Sequence, residues 1–291
     1  MGDRLAALLA SASVEISSKG SQLKELADHF AAGTDVSITF LPGDNYRHNV
    51  ETAVSLRCAG FNPVPHIAAR EMSSREALND FLASARREAD VRRLVLIAGD
   101  VAAAKGPFRS SFDVAVTGLI EAHGISSVSV AGYPEGHPWL DHGPAFEALA
   151  AWHDWAARSG VRLEIVTQFC FESSPILDWL GELAARGIDL PVKVGLAGPA
   201  TLATLTKFGL RCGIGSSMRA LRGQIGRFGR LLTDNGPDDV VRGLLAAPPA
   251  ATGAISGFHL FPFGGLRKTG LWLREFDRGS QPVPQSAAQK P

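Results

Sequence analysis

Short runs of apolar and β-branched residues alternate with longer amphipathic stretches along almost the whole chain. The stretches carry helix start signals such as Asp44-Asn45 and the pair Ser73 and Glu76, which predicts a capping box before a helix over 77–87. Eight strands, most followed by a helix, have the rhythm of a (β/α)8 TIM barrel. A doubly wound open sheet is the alternative that periodicity leaves open. The predicted strands are 14–16, 36–41, 63–68, 94–98, 127–131, 163–169, 192–196 and 254–261.

The C-terminal third departs from this rhythm in two places. Extra helical patterns over 216–232 and 238–246 lie between the seventh and eighth predicted strands. From residue 279 the sequence is rich in Pro, Gln and Ser and has little to bury, so we expect 279–291 to be a disordered tail. No interior linker divides the rest, and residues 1–278 are therefore expected to form a single barrel.

Composition narrows the class of protein. The 291 residues include 29 Lys and Arg against 29 Asp and Glu, and this balance argues against a partner that is nucleic acid or a membrane surface. No apolar stretch approaches the roughly 20 residues that span a bilayer. The apolar run at 5–10 is short for a signal peptide and follows Asp3. The three cysteines are scattered, which fits a reduced compartment, and we expect a cytoplasmic protein.

Polar side chains follow the first six predicted strands at or near their carboxyl ends. In a TIM barrel these ends surround one mouth, so the pattern indicates an active site more than a binding module. The sequence has no HxH or HExxH metal spacing, no phosphate-binding P-loop and no GxGxxG after the first strand. A large polar site with no metal ligands suits an organic cofactor and a heteroaromatic substrate. The six residues are Glu15, Thr39, His66, Asp100, Tyr133 and Gln168.

Two segments carry a resemblance to a known family. AGYPEGHP at 131–138 and VTQFCF at 166–171 resemble the methylenetetrahydrofolate reductases, in their short, single-domain bacterial form. Weaker matches over roughly 12–265 follow in the same order: VEIS at 14–17, SITF at 37–40, PH at 65–66, GD at 99–100 and FHLF at 258–261. The resemblance implies a (β/α)8 barrel with FAD that reduces 5,10-methylenetetrahydrofolate to 5-methyltetrahydrofolate. NADH or NADPH would supply the hydride, and the sequence does not choose between them.

The resemblance also implies roles for individual residues. Glu15 resembles the general acid, and Asp100 resembles the carboxylate that orients the pterin and stabilises its developing positive charge. Gln168 matches a residue that hydrogen-bonds the pterin, and Phe208 matches one that stacks on the substrate. No metal is implied, and the family's habit predicts a homo-oligomer, either a dimer or a tetramer. The residues that match flavin contacts are Thr39, His66, Asp100, Tyr133 and His137.

The chain departs from the family pattern where the flavin diphosphate would lie. Ala98 stands where the family has an arginine before Gly-Asp, and 150–158 lacks a lysine that the family places before the TQ motif. A flavin-independent methylene-pterin reductase with direct hydride transfer is therefore an alternative. A folate- or flavin-binding barrel without catalysis is another, although the retained Glu15, Asp100 and Gln168 speak against it. A basic stripe in 216–232 fits a solvated face, or else contact with folate polyglutamate or FAD phosphates; it consists of Arg219, Arg222, Arg227 and Arg230.

Overall fold

The computed structural model describes residues 2–18, 22–138, 140–212, 214 and 236–280. Its eight strands form a closed barrel in chain order, and the eighth strand pairs in parallel with the first. The predicted (β/α)8 barrel is confirmed, and the open sheet is excluded. Each predicted strand is found with its ends within two residues of the prediction. The strands are β1 (Ser13–Ser17), β2 (Asp35–Thr39), β3 (Asn62–Ala68), β4 (Arg93–Ile97), β5 (Ser127–Gly132), β6 (Arg162–Thr167), β7 (Val192–Ala197) and β8 (Ile255–Phe261).

Helices surround the barrel and their starts follow local capping chemistry. The side chain of Asn45 accepts a hydrogen bond from the Arg47 amide at 2.8 Å. Ser74, not Ser73, caps the helix that follows β3, because its extended backbone lets the hydroxyl accept from the Ala77 amide at 3.1 Å. The described helices are α1 (Gly2–Ala10), α2 (Leu23–His29), α3 (Tyr46–Cys58), α4 (Arg75–Ala89), α5 (Ser111–Ala115), α6 (Leu119–Ala122), α7 (His142–Ser159), α8 (Ser174–Ala185), α9 (Leu202–Arg211), α10 (Asp238–Ala246) and α11 (Leu266–Ser280), with 3₁₀ turns at Ala69–Glu71 and Pro249–Ala251.

The predicted features of the C-terminal third have different outcomes. The helix expected over 238–246 is α10. The pattern at 216–232, with its basic stripe, and residues 281–291 of the expected tail lie outside the described residues. In the part of the chain that is described, no helix is long and apolar enough to cross a membrane.

The amino-terminal end of the barrel is filled by an ionic cluster. Lys193 Nζ lies 3.5 Å from Asp35 Oδ2 and 3.8 Å from Glu164 Oε1, and Lys193 is buried. Because β7 and β2 are not neighbours in the sheet, the Lys193–Asp35 pair crosses the barrel interior. Arg93 also pairs with Asp35, and Ser129 donates to Glu164 at 2.8 Å. This cluster closes one end of the barrel and leaves the other end to the candidate site.

Candidate functional site

A cavity of about 480 Å³ opens at the carboxyl-terminal ends of the strands, a volume typical of small-molecule sites. Glu15, His66 and His259 reach it from within β1, β3 and β8. The other polar residues predicted from the sequence lie at or just past the ends of their strands: Thr39, Asp100, Tyr133 and Gln168. Seven of the eight residues singled out from the sequence line this one cavity. They are Glu15, Thr39, His66, Asp100, Tyr133, Gln168 and Phe208.

A carboxylate between two buried imidazoles lines the cavity. Glu15 Oε2 lies 3.8 Å from Nε2 of His66 and 3.8 Å from Nε2 of His259. The side chains of His66 and His259 are 10% and 3% exposed, and that of Glu15 is 21% exposed. Ser13 Oγ lies 2.8 Å from Nδ1 of His259, so a hydrogen bond on its far nitrogen fixes this ring's orientation. The arrangement can hold a proton next to a bound ligand.

Burial keeps His66 neutral. The pKa of His66 is lowered from 6.5 to about 4. Removal from water is the main cause, the Glu15 carboxylate opposes the shift, and His259 adds to it. The Nε2 atom of His66 and the Oγ1 atom of Thr39 are buried without a hydrogen-bond partner among the described residues. Both residues line the cavity, so a bound polar ring would satisfy atoms that the described residues leave unpaired.

Tyr133 and His137 stand at one side of the mouth. Their ring centroids are 4.6 Å apart. Burial raises the pKa of Tyr133 to about 12 with a contribution from Asp100, while Arg70 acts in the opposite direction. Burial lowers the pKa of His137. The Asp100 carboxylate acts to raise this pKa, and the Arg70 guanidinium acts to lower it. His137 does not line the central cavity with the other predicted residues but a neighbouring groove.

That neighbouring groove is acidic. Its volume is about 810 Å³, and it lies beside the segment that follows β5. The described residues nevertheless contain no group of three or more His, Cys, Asp or Glu side chains placed to hold a metal ion. The groove repels anions, because five of its lining residues are carboxylates: Glu135, Asp141, Glu172, Asp178 and Glu182.

Aromatic rings form an apolar wall of the central cavity. Phe208, on α9, stacks on Phe263 with centroids 4.2 Å apart and planes 15° apart. Phe263 lies nearly parallel to Phe261 as well, at 5.8 Å and 14°. Phe169 meets both Phe261 and Phe263 edge to face. A ligand with a planar ring therefore finds an apolar wall in the same cavity as the polar side chains.

Sequence reasoning missed His259 and Phe263. His259 lies inside β8 between Phe258 and Leu260, where no polar strand end draws attention to it. The available signal was a histidine in an otherwise apolar strand, together with Ser13 and Glu15 on the strand that closes the barrel against it. Phe263 follows β8 in a loop, and its ring contact with Phe208 depends on how α9 packs.

Comparison with known proteins supports the fold. No family model matches the chain. An uncharacterized protein from Clostridium thermocellum that binds two copies of 5-methyl-5,6,7,8-tetrahydrofolic acid superposes with a TM-score of 0.58 at 10% identity, over 92% of this chain and 94% of that chain. Dihydropteroate synthase from Thermus thermophilus gives a TM-score of 0.47 at 16% identity, over 92% of this chain and 93% of that chain.

Proposed function

We propose that this protein binds a reduced folate in the barrel mouth and reduces 5,10-methylenetetrahydrofolate to 5-methyltetrahydrofolate, with NADH or NADPH as the source of hydride. The observation that carries the proposal is the Glu15 carboxylate, set in the cavity between the imidazoles of His66 and His259 at 3.8 Å from each. The solved barrel that binds 5-methyltetrahydrofolic acid supports the ligand class.

Reduction of the methylene bridge needs a proton as well as a hydride. The bond from the bridging carbon to one folate nitrogen breaks, the departing nitrogen takes a proton, and the carbon becomes an iminium cation that accepts the hydride. Glu15, in its protonated form, would supply that proton. His259, with Ser13 on its other nitrogen, would hold the carboxyl group towards the ligand.

The remaining residues would bind and orient the folate. Asp100 would accept hydrogen bonds from the pterin and stabilise the positive charge of the iminium. Gln168 lines the cavity just past the end of β6 and would hydrogen-bond the pterin edge. Phe208 and Phe263 offer ring faces to the aromatic part of the substrate.

The polar side of the cavity fits the ring system of FAD. The buried atoms of Thr39 and His66 that the described residues leave unpaired are partners that a flavin ring would satisfy, and Asp100 and Tyr133 line the same cavity. Bound there, FAD would relay the hydride from the nicotinamide to the folate. In that case, the steps assigned to Glu15 and Asp100 are unchanged.

Direct hydride transfer from the nicotinamide to the folate is the second candidate. Five carboxylates line the groove beside the mouth, an environment that disfavours a flavin diphosphate. The absence of an arginine at position 98 points the same way. This candidate uses the same general acid and the same pterin contacts.

The visible absorbance spectrum of the purified protein, before and after FAD is added, distinguishes the two routes. A flavin band that bleaches with NADH or NADPH and recovers with 5,10-methylenetetrahydrofolate supports the flavin route. Folate-dependent oxidation of the nicotinamide without flavin uptake supports direct transfer. If the protein binds 5-methyltetrahydrofolate but takes up no flavin and shows no turnover, it is a folate-binding barrel without catalysis.

The general-acid assignment has its own test. We expect Glu15→Gln to lower turnover by at least about a hundredfold, the scale of a lost general acid, while 5-methyltetrahydrofolate still binds. Glu25→Gln is the matched control, because Glu25 lies on α2 and its carboxylate accepts a backbone hydrogen bond from Arg267 outside the cavity. Unchanged turnover in Glu15→Gln would rule out Glu15 as the acid.

A further inference from the structure

We infer that Arg70 is a positioning residue for Asp100, fixing from the end of β3 the turn that presents Asp100 to the folate. The inference rests on the proposed function, because it concerns the binding of the same ligand. Arg70 lies in the 3₁₀ turn Ala69–Glu71, just past the end of β3 and outside the set of residues that the sequence singled out.

Arg70 makes two hydrogen bonds to consecutive residues just before Asp100. Its backbone amide donates to the carbonyl of Ala98 at 2.9 Å. Its guanidinium Nη2 donates to the carbonyl of Gly99 at 2.7 Å. The carbonyl of Arg70 accepts from the amide of Lys105 at 2.8 Å, which ties the returning part of the same loop. One residue therefore holds both sides of the loop that carries Asp100.

These hydrogen bonds matter because the turn contains a residue with a positive φ angle. Gly99 has φ of +92°, a conformation that side chains disfavour. A Cβ atom there would lie 3.2 Å from the Cβ of Ala68, so the turn also packs closely on the end of β3. Asp100 follows directly and lies outside any regular element. The position of its carboxylate then depends on the bonds that fix Ala98 and Gly99.

The guanidinium also lies beside the position where this chain lacks the arginine of the family pattern. Ala98 stands at the position of an expected arginine, and Arg70 brings its positive charge to the adjacent carbonyl from the neighbouring strand. Both charges lie near this side of the mouth. Asp100 raises the pKa values of Tyr133 and His137, and Arg70 lowers them. Nε of Arg70 is buried without a hydrogen-bond partner among the described residues.

A double-mutant cycle tests whether Arg70 acts through Asp100. We would measure the affinity for 5-methyltetrahydrofolate by titration calorimetry in wild type, Arg70→Met, Asp100→Asn and the double variant. We expect each single variant to bind about tenfold more weakly, the scale of one charge-assisted hydrogen bond, and the double variant to bind little worse than Asp100→Asn. Losses that multiply, about a hundredfold in the double variant, would overturn the inference.

Two further variants separate positioning from general loss of structure. Arg75→Met removes a guanidinium that likewise donates to a backbone carbonyl, that of Thr117 at 2.9 Å, but on the outer surface. It should leave the affinity unchanged. Arg70→Lys keeps a donor for the Gly99 carbonyl and should restore part of the affinity. Equal losses in Arg75→Met and Arg70→Met would contradict the positioning role.

Backbone hydrogen exchange tests the inference independently of folate binding. In Arg70→Met the amide of Lys105, which donates to the Arg70 carbonyl at 2.8 Å, should exchange at least about tenfold faster than in wild type, while the amides of β4 stay protected. Unchanged exchange in this loop would overturn the inference. If wild type binds no reduced folate, the proposed function is wrong, and the exchange result alone decides whether Arg70 holds the turn.

Discussion

The buried imidazole of His66 makes the stability of the fold depend on pH in a specific window. In the unfolded chain His66 takes up a proton as the pH falls below about 6.5, whereas burial keeps the folded form neutral until the pH approaches about 4. Between these values the unfolded state binds more protons than the native state. The free energy of unfolding therefore falls as the pH falls through this window.

The size of the effect follows from these two pKa values. At pH 7 nearly all His66 is neutral in both states, and its contribution is close to zero. At pH 5 protonation of His66 in the unfolded state lowers the free energy of unfolding by about 2 kcal/mol. At pH 4 this loss approaches about 3 kcal/mol. The group is buried, so solvent screening does not reduce these values much.

Urea unfolding of wild type and His66→Gln at pH 7 and pH 5 isolates this contribution, because the other titrating groups are common to both proteins. On going from pH 7 to pH 5, wild type should lose about 2 kcal/mol more stability than the variant. Titration of the His66 ring by NMR checks the pKa directly. Equal losses in the two proteins, or a measured pKa of about 6 or above, would refute the reasoning.

Two more predictions concern charges at opposite ends of the barrel. Lys193→Met should lower the free energy of unfolding by about 3 kcal/mol, because Asp35 and Glu164 lose a buried cation. Urea unfolding measures this loss, and a loss below about 1 kcal/mol would contradict the prediction. Asp100→Asn should lower the pKa of His137, because the carboxylate raises it; an NMR titration in which this pKa stays unchanged or rises would show that the two groups do not interact.

The alternation of apolar runs with amphipathic stretches predicted eight strands with helices between them and favoured the barrel, although periodicity alone left an open sheet as the alternative. Eight strands in sequence order with helices between them have few other ways to bury their apolar faces. The strand ends also indicated most of the site, because parallel strands bring their carboxyl ends to one edge. Glu15, Thr39 and His66 could therefore be placed together before their distances were known.

Local signals were less accurate where two neighbouring residues offered the same chemistry. Ser73 and Ser74 are both capable helix caps, and the choice between them depends on which backbone is extended at the end of the preceding turn. His137 belongs to the most specific sequence motif, yet it faces the acidic groove. A motif fixes residue order, but the path of the loop after β5 decides which cavity each side chain lines.

The sequence by itself determined the eight alternating strands and helices and the polar residues at the strand ends, because both follow from hydrophobic periodicity and chain order. The tertiary structure decided that the sheet closes into a barrel. Only the tertiary structure decided that His259 faces Glu15 and that Arg70 reaches the turn before Asp100. The first contact arises where β8 closes on β1, and the second where a turn after β3 crosses to the end of β4. Such contacts depend on strand register and loop path, and residue types along the chain do not specify these.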